Sequence, residues 1–366
     1  GAMCAQTTPL LTMVPNMTRV ETMIHRRLQA LIALAATSAL TACAGGQPGT
    51  GGTTAADGGG DRIAVVASFY PLAYAAERVG GDRVEVTNLT GTGADPHHLE
   101  LTPRQVGEVK DAALVLYSKG MQPATDTAIE SASPARVLDL SSLATLPADV
   151  TQTIGEAAGH QSAGDDHTDD ADHADHTDGA DHADQGGHTQ GDGHDHGASD
   201  PHFWLDPRAY SKAATMVADE LAAADPAGAE TYKANAAQFT AEIEKVDESF
   251  TRGLANCSQK NLVTGHTSFA YLAQRYGLNQ VGVAGVLNDS EPDPARIARI
   301  VDFTKKNSVT TLYAEEGEST TVLDTVAREA GVETAPLDSL SLTKDGGYAA
   351  RMEANLNTLR SGQRCS

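Results

Sequence analysis

The chain has 366 residues, more than one hydrophobic core ordinarily spans, and its 40% apolar content can build two packed domains. Aromatic residues make up only 4%, so those cores must rest on Ala, Val and Leu. A formal charge of −23 argues against a nucleic-acid binder, which needs a basic face, and suits a protein that gathers cations.

The N-terminus reads as an export signal. His25-Arg26-Arg27 precedes an apolar run from Leu28 to Leu40 that is too short for a membrane span. The run closes on Leu40-Thr41-Ala42-Cys43, small residues followed at once by a cysteine, which is similar to a bacterial lipobox. Residues 1–43 therefore form a targeting segment, with Cys4 set aside from the fold. The mature chain is expected to begin at a lipidated Cys43, extracytoplasmic, on the outer face of the cell membrane or in the periplasm. Residues 44–61, mostly Gly, Thr, Ala and Gln, read as a flexible tether.

From Arg62 the pattern is α/β. Strand-like runs at Ile63–Ala67, Val84–Leu89, Ala113–Tyr117 and Val137–Leu140 alternate with helical stretches. One such stretch leads from the Ser68-Phe69-Tyr70-Pro71 turn to Gly80, and another opens at Thr102-Pro103 with Pro in the first turn. Residues 62–224 form an N-terminal lobe, interrupted by a His/Asp-rich loop over 159–197 that lacks the apolar residues to fold alone. Pro207–Ala224 reads as a helix. Residues 225–256 read as a long linking helix of about 28 residues, opened by Asp225-Pro226. Its apolar stripe is Phe239, Ile243, Val246, Phe250 and Leu254. Residues 257–366 repeat the alternation, with strands at Asn261–Thr264, Val281–Val286, Thr310–Ala314 and Val332–Leu337 and helices at Pro294–Lys306 and Thr321–Ala330. The expected fold is two α/β lobes joined by a rigid helix, with a site in the cleft between them. Cys257 and Cys365 belong to an oxidising compartment, so one bridge between them is arithmetically possible; two free thiols are the alternative.

Three histidines outside the loop stand where such a fold presents side chains to a cleft: His97, His202 and His266. Pro96 stiffens the approach to His97, Phe203 and Trp204 would shield His202 from water, and Gly265 lets the backbone turn before His266. Neutral imidazoles converging from distant parts of a chain are a zinc ligand set. The loop adds His160, His167, His173, His176, His182, His188, His194 and His196, several beside aspartates, which could chelate further ions weakly. Residues 156–200 hold thirteen carboxylates and no Lys or Arg, which raises the local cation concentration. No His-Glu-x-x-His or Gly-x-Ser-x-Gly motif supports a hydrolase.

Several segments together carry a resemblance. They are Ser68-Phe69-Tyr70-Pro71-Leu72, Asp95-Pro96-His97 with Glu100 and Pro103, His202-Phe203-Trp204-Leu205-Asp206-Pro207, and His266-Thr267-Ser268-Phe269-Ala270-Tyr271 with Tyr276-Gly277-Leu278. Glu291-Pro292-Asp293-Pro294 and Leu337-Asp338-Ser339-Leu340 extend it. From Ile63 to the C-terminus the chain resembles the zinc-specific solute-binding proteins of bacterial metal ABC importers. The resemblance implies a non-enzymatic zinc receptor that serves a membrane permease and its ATPase as a lipid-anchored monomer. It places the first three ligands on His97, His202 and His266 and the fourth on Asp338 or a water; Glu315 and Glu316, after the strand ending at Ala314, are alternatives that read better as solvated groups or groups supporting a ligand. Two departures stand out: His98 where the family often has Glu, and Leu101 where it often has Pro. Manganese relatives usually carry a carboxylate at the position of His266, so three imidazoles favour zinc. A manganese receptor, or a surface zinc store or adhesin working through the loop, are the alternative readings.

Overall fold

The computed structural model describes residues 62–147, 152–153, 199–283 and 294–366, all within one unit, Gly58–Ser366. Cys43, the tether, the eight loop histidines and Glu291–Asp293 lie outside the described residues.

The first lobe is built on a parallel sheet of β1 (Ile63–Ala67), β2 (Val84–Asn88), β3 (Leu114–Tyr117) and β4 (Val137–Asp139), in the order β2-β1-β3-β4. Val65 pairs with Val86 on one side and Leu114 on the other, and Leu116 with Leu138. The central strands β1 and β3 pair on both sides and need apolar side chains in both directions, which is why they read as apolar runs, while the edge strands β2 and β4 carry polar residues as well. The connecting helices α1 (Tyr70–Gly80), α2 (Pro103–Asp111) and α3 (Pro123–Ala132) each take Pro in the first turn, where its missing N–H costs nothing. Thr102 and Gln105 complete a capping box on α2.

Helix α4 (Pro207–Ala224) starts at Asp206, whose side chain accepts from the Arg208 N–H. Helix α5 (Ala229–Gly253) has 25 residues, about 38 Å at 1.5 Å per residue. It is shorter than expected because Pro226–Gly228 forms a separate tight turn before it. Its buried stripe of Tyr232, Ala236, Phe239, Ile243, Val246 and Phe250 lies against α1 and α4.

The second sheet is also parallel: β5 (Gln152–Thr153), β6 (Asn261–Thr264), β7 (Asn279–Gly282), β8 (Thr311–Glu315) and β9 (Glu333–Leu337), in the order β5-β7-β6-β8-β9. Helices α6 (Ala270–Tyr276), α7 (Pro294–Lys306), α8 (Thr321–Ala330) and α9 (Gly347–Gly362) complete it, and α9 returns to pack on α5. One core runs through both lobes, joining Val65 and Leu114 to Leu262, Tyr313 and Leu337 by way of Trp204 and Phe250.

Residues 152–153 pair with β7, so the chain reaches the second sheet before the His/Asp-rich loop, although the sequence places them in the first lobe. A two-residue strand has no periodicity to read; only its pairing defines it. Cys257 and Cys365 are bonded, and the flanking backbone forms an antiparallel bridge that ties the C-terminus to the segment following α5. Among the described residues no helix is long and apolar enough to cross a membrane.

Candidate metal centre

His97 lies in the loop after β2, His266 in the turn after β6, and His202 just before α4, where Phe203–Leu205 makes a tight turn. The carboxyl ends of β2 and β6 thus converge with the start of α4. The donor atoms of the three imidazoles all lie within 4.8 Å of one another. His97 Nε2 is 3.3 Å from His202 Nε2. Two nitrogens bound to one tetrahedral zinc at about 2.05 Å are about 3.3 Å apart, so this pair already stands at the spacing of a zinc shell. The His97, His202 and His266 cluster fits a Zn2+ ion.

The same Asp-Pro-His tripeptide delivers two of the three. Asp95 Oδ1 accepts the His97 N–H at 2.9 Å, and Asp200 Oδ1 accepts the His202 N–H at 2.9 Å. The aspartate closes a turn on the backbone two residues ahead and sets the direction in which the histidine leaves it. At His202 the carboxylate does more: Asp200 Oδ1 also lies 2.7 Å from Nδ1. An ionised carboxylate only accepts, so Nδ1 carries the proton and Nε2 offers its lone pair to the site. His266 repeats the arrangement with Glu315, whose Oε2 lies 2.6 Å from Nδ1 and accepts from the Ser268 hydroxyl at 2.8 Å. A carboxylate behind an imidazole fixes the ring and makes it a better ligand. Glu315 thus supports a ligand rather than being one, the better of its two readings from the sequence. For Asp200 the repeated Asp-Pro-His is the sequence signal.

Burial and neighbouring groups together set the charge states. Burial drives the His97 imidazole down, His202 and His266 push the same way, and these outweigh Asp95 and Glu315 to leave it at about 3. For Glu315 burial acts upward, but the charge of His266 and the hydrogen bonds from His266 and Ser339 prevail and hold it at about 2. Unliganded, the site is a neutral His97 beside an ionised Glu315, the forms that metal binding requires. His202 and His266 are 1% and 3% exposed, and the Trp204 ring lies 5.2 Å from that of His202.

The other candidates fall elsewhere. His98 turns out of the cluster, with Nδ1 2.7 Å from Asp95 Oδ2 and its side chain 58% exposed. Asp338 is outside the cluster: Arg351 Nε donates to its Oδ2 and Nη2 to its Oδ1, both at 2.7 Å, and the Leu340 N–H adds to Oδ1. Glu316 lines the cleft and pairs with Lys344. Gln122, on the first lobe, donates to the Pro96 carbonyl at 2.9 Å and so anchors the loop that carries His97.

A largely buried three-histidine cluster between two parallel-sheet lobes bridged by a helix defines a two-lobed metal-binding protein. The family described as ZnuA, zinc-uptake complex component A, periplasmic, matches residues 65–362. The zinc-binding lipoprotein AdcA of Streptococcus pneumoniae is 31% identical over 306 residues, 82% of this chain and 55% of that protein. The high-affinity zinc uptake system protein ZnuA of Bacillus subtilis is 29% identical over 344 residues, 92% of this chain and 98% of that protein. The crystal structure of the Zn(II)-bound ZnuA-like domain of Streptococcus pneumoniae AdcA aligns with a TM-score of 0.61 at 27% identity, over 82% of this chain and 99% of that one. The laminin-binding protein Lmb of Streptococcus agalactiae aligns at 0.64 with 25% identity, over 82% and 99%. The chain thus belongs to the ZnuA/AdcA-like family of periplasmic zinc-binding solute-binding proteins of ABC importers. It spans only 55% of the length of the streptococcal AdcA it matches.

Proposed function

We propose that this protein is the extracytoplasmic zinc receptor of an ABC importer, binding one Zn2+ in the cleft and passing it to a membrane permease driven by a separate ATPase. The observation that carries this reading is the His97–His202 spacing of 3.3 Å, between a half-buried and a buried imidazole. The matching family is one of transport receptors, which argues against a hydrolase. Lipid anchoring at Cys43 and weak chelation by the eight loop histidines belong to the same reading.

Asp338 supplies the fourth ligand by leaving Arg351 when the dication enters. Arg351 keeps partners in the exchange, since Nη1 also donates to the Leu342 carbonyl at 3.1 Å and its guanidinium lies 5.1 Å from the centre of the Tyr70 ring. A bound water is the alternative. Zinc titration against a competing chelator tests both levels. The receptor reading requires one tight site that His266→Ala abolishes and manganese does not fill. Asp338 as ligand requires a large loss in Asp338→Ala, whereas water in that position leaves affinity nearly unchanged.

The likeness to Lmb, whose structure is described as that of a bifunctional adhesin and metal transporter, supports a second reading as a surface adhesin. Binding of the zinc-loaded protein to immobilised laminin tests it.

A further inference from the structure

His202 and His266 are 64 positions apart in a chain that visits both lobes between them, yet one side chain joins their surroundings. Tyr271 follows His266 by five residues, in the first turn of α6, and is 4% exposed. Its hydroxyl donates to the Asp200 carbonyl at 2.9 Å and accepts the Leu146 N–H at 3.0 Å. The Asp200 N–H in turn donates to the Leu146 carbonyl at 2.7 Å. Asp200 is therefore held through its backbone on both sides, while its carboxylate holds His202 through the ring and the main chain.

On the other side, the His266 carbonyl accepts from Thr264 Oγ1 at 2.6 Å and from Gln280 Nε2 at 3.2 Å, both on second-sheet strands. The segment from His266 to Tyr271 thus carries one metal donor at its start and, at its end, a strut to the residue that aims another. Further bonds bind the His202 segment to the same lobe: Trp204 Nε1 donates to the Ser339 carbonyl at 2.8 Å, and the Tyr348 hydroxyl to the Trp204 carbonyl at 3.1 Å.

Resting on the zinc-receptor reading above, we infer that Tyr271 is a positioning residue that, through Asp200, presets His202 against His266 in the metal centre. The hydroxyl acts through Asp200 and touches no metal. It meets a main-chain acceptor at Asp200 and a main-chain donor at Leu146, with Thr145 beside it, so a group that both donates and accepts serves at that point.

The test is Tyr271→Phe, which keeps the buried ring and removes the hydroxyl, measured by zinc titration with a competing chelator alone and in a His202→Ala background. Loss of an outer partner of a metal ligand costs affinity 10–100-fold, and about 10-fold is expected here. The loss should vanish when His202 is already absent, and the visible spectrum of the Co2+-loaded single variant should differ from that of the unsubstituted protein. Unchanged affinity, or an equal loss in the His202→Ala background, overturns the inference, as does a lower urea midpoint with affinity and Co2+ spectrum intact. Absence of a tight site in the unsubstituted protein would instead sink the receptor reading.

Discussion

The Nε2 atoms of His97 and His202 stand 3.3 Å apart although 105 residues separate them, while His98, next in the chain, faces away and pairs with Asp95. Adjacent histidines therefore have opposite fates. His97→Ala is expected to weaken zinc binding by at least about 100-fold, since it removes one of the three donors, and His98→Ala to change it less than about 3-fold. Calorimetric competition on the two variants checks this; a comparable loss in both would exchange or merge their roles.

The metal-free protein should lose stability as the solution is acidified below about pH 6.5. His97 has its pKa lowered from 6.5 to about 3, so below 6.5 the unfolded chain takes up a proton that the folded one refuses. Glu315 is lowered from 4.5 to about 2, so its contribution is complete above 4.5 and is lost as pH falls toward 2. Both act in the same direction, in windows that overlap below pH 4.5. Urea midpoints at pH 7, 5.5 and 4 should fall steadily, and His97→Ala should flatten the upper window.

The Cys257–Cys365 bridge closes a separation of 108 residues, for which loop-closure entropy gives about 4–5 kcal/mol. Replacing both cysteines by serine should lower unfolding stability by an amount of this order. Zinc affinity should hold, because Cys257 precedes the amino end of β6 whereas His266 follows its carboxyl end. Guanidinium unfolding and zinc titration on the same preparation separate the two effects.

Pro147 and Ser199 form an antiparallel bridge, so the chain on the far side of the His/Asp-rich loop returns beside the segment that leads into the Gln152–Thr153 strand. Replacing residues 159–197 by a short Gly/Ser linker should be tolerated, because it leaves the Gln152–Thr153 strand and the Pro147–Ser199 bridge in place. One tight zinc site should survive with the weak ones lost. Disappearance of the tight site would move the function into the insertion.

The strand at Ile63–Ala67, the helix at Pro207–Ala224 and the alternation that defines two lobes were all legible in the chain, because burial on both faces writes apolar runs and caps mark helix starts. The three histidines were legible too, as residues set at strand ends and turns. Other features were not. The two-residue strand Gln152–Thr153 exists only through its pairing with β7. The placement of Asp338 against Arg351, and of Asp200 and Glu315 behind two imidazoles, depends on contacts between residues far apart in the chain or on rotamers that packing selects. By itself the sequence determined which side chains can bind a metal and which segments become strands and helices, since those follow from donor chemistry and local periodicity. Only the tertiary structure decided which histidine faces inward, which carboxylates orient the rings and how far apart the nitrogens stand, because these follow from how two sheets and one long helix pack in space.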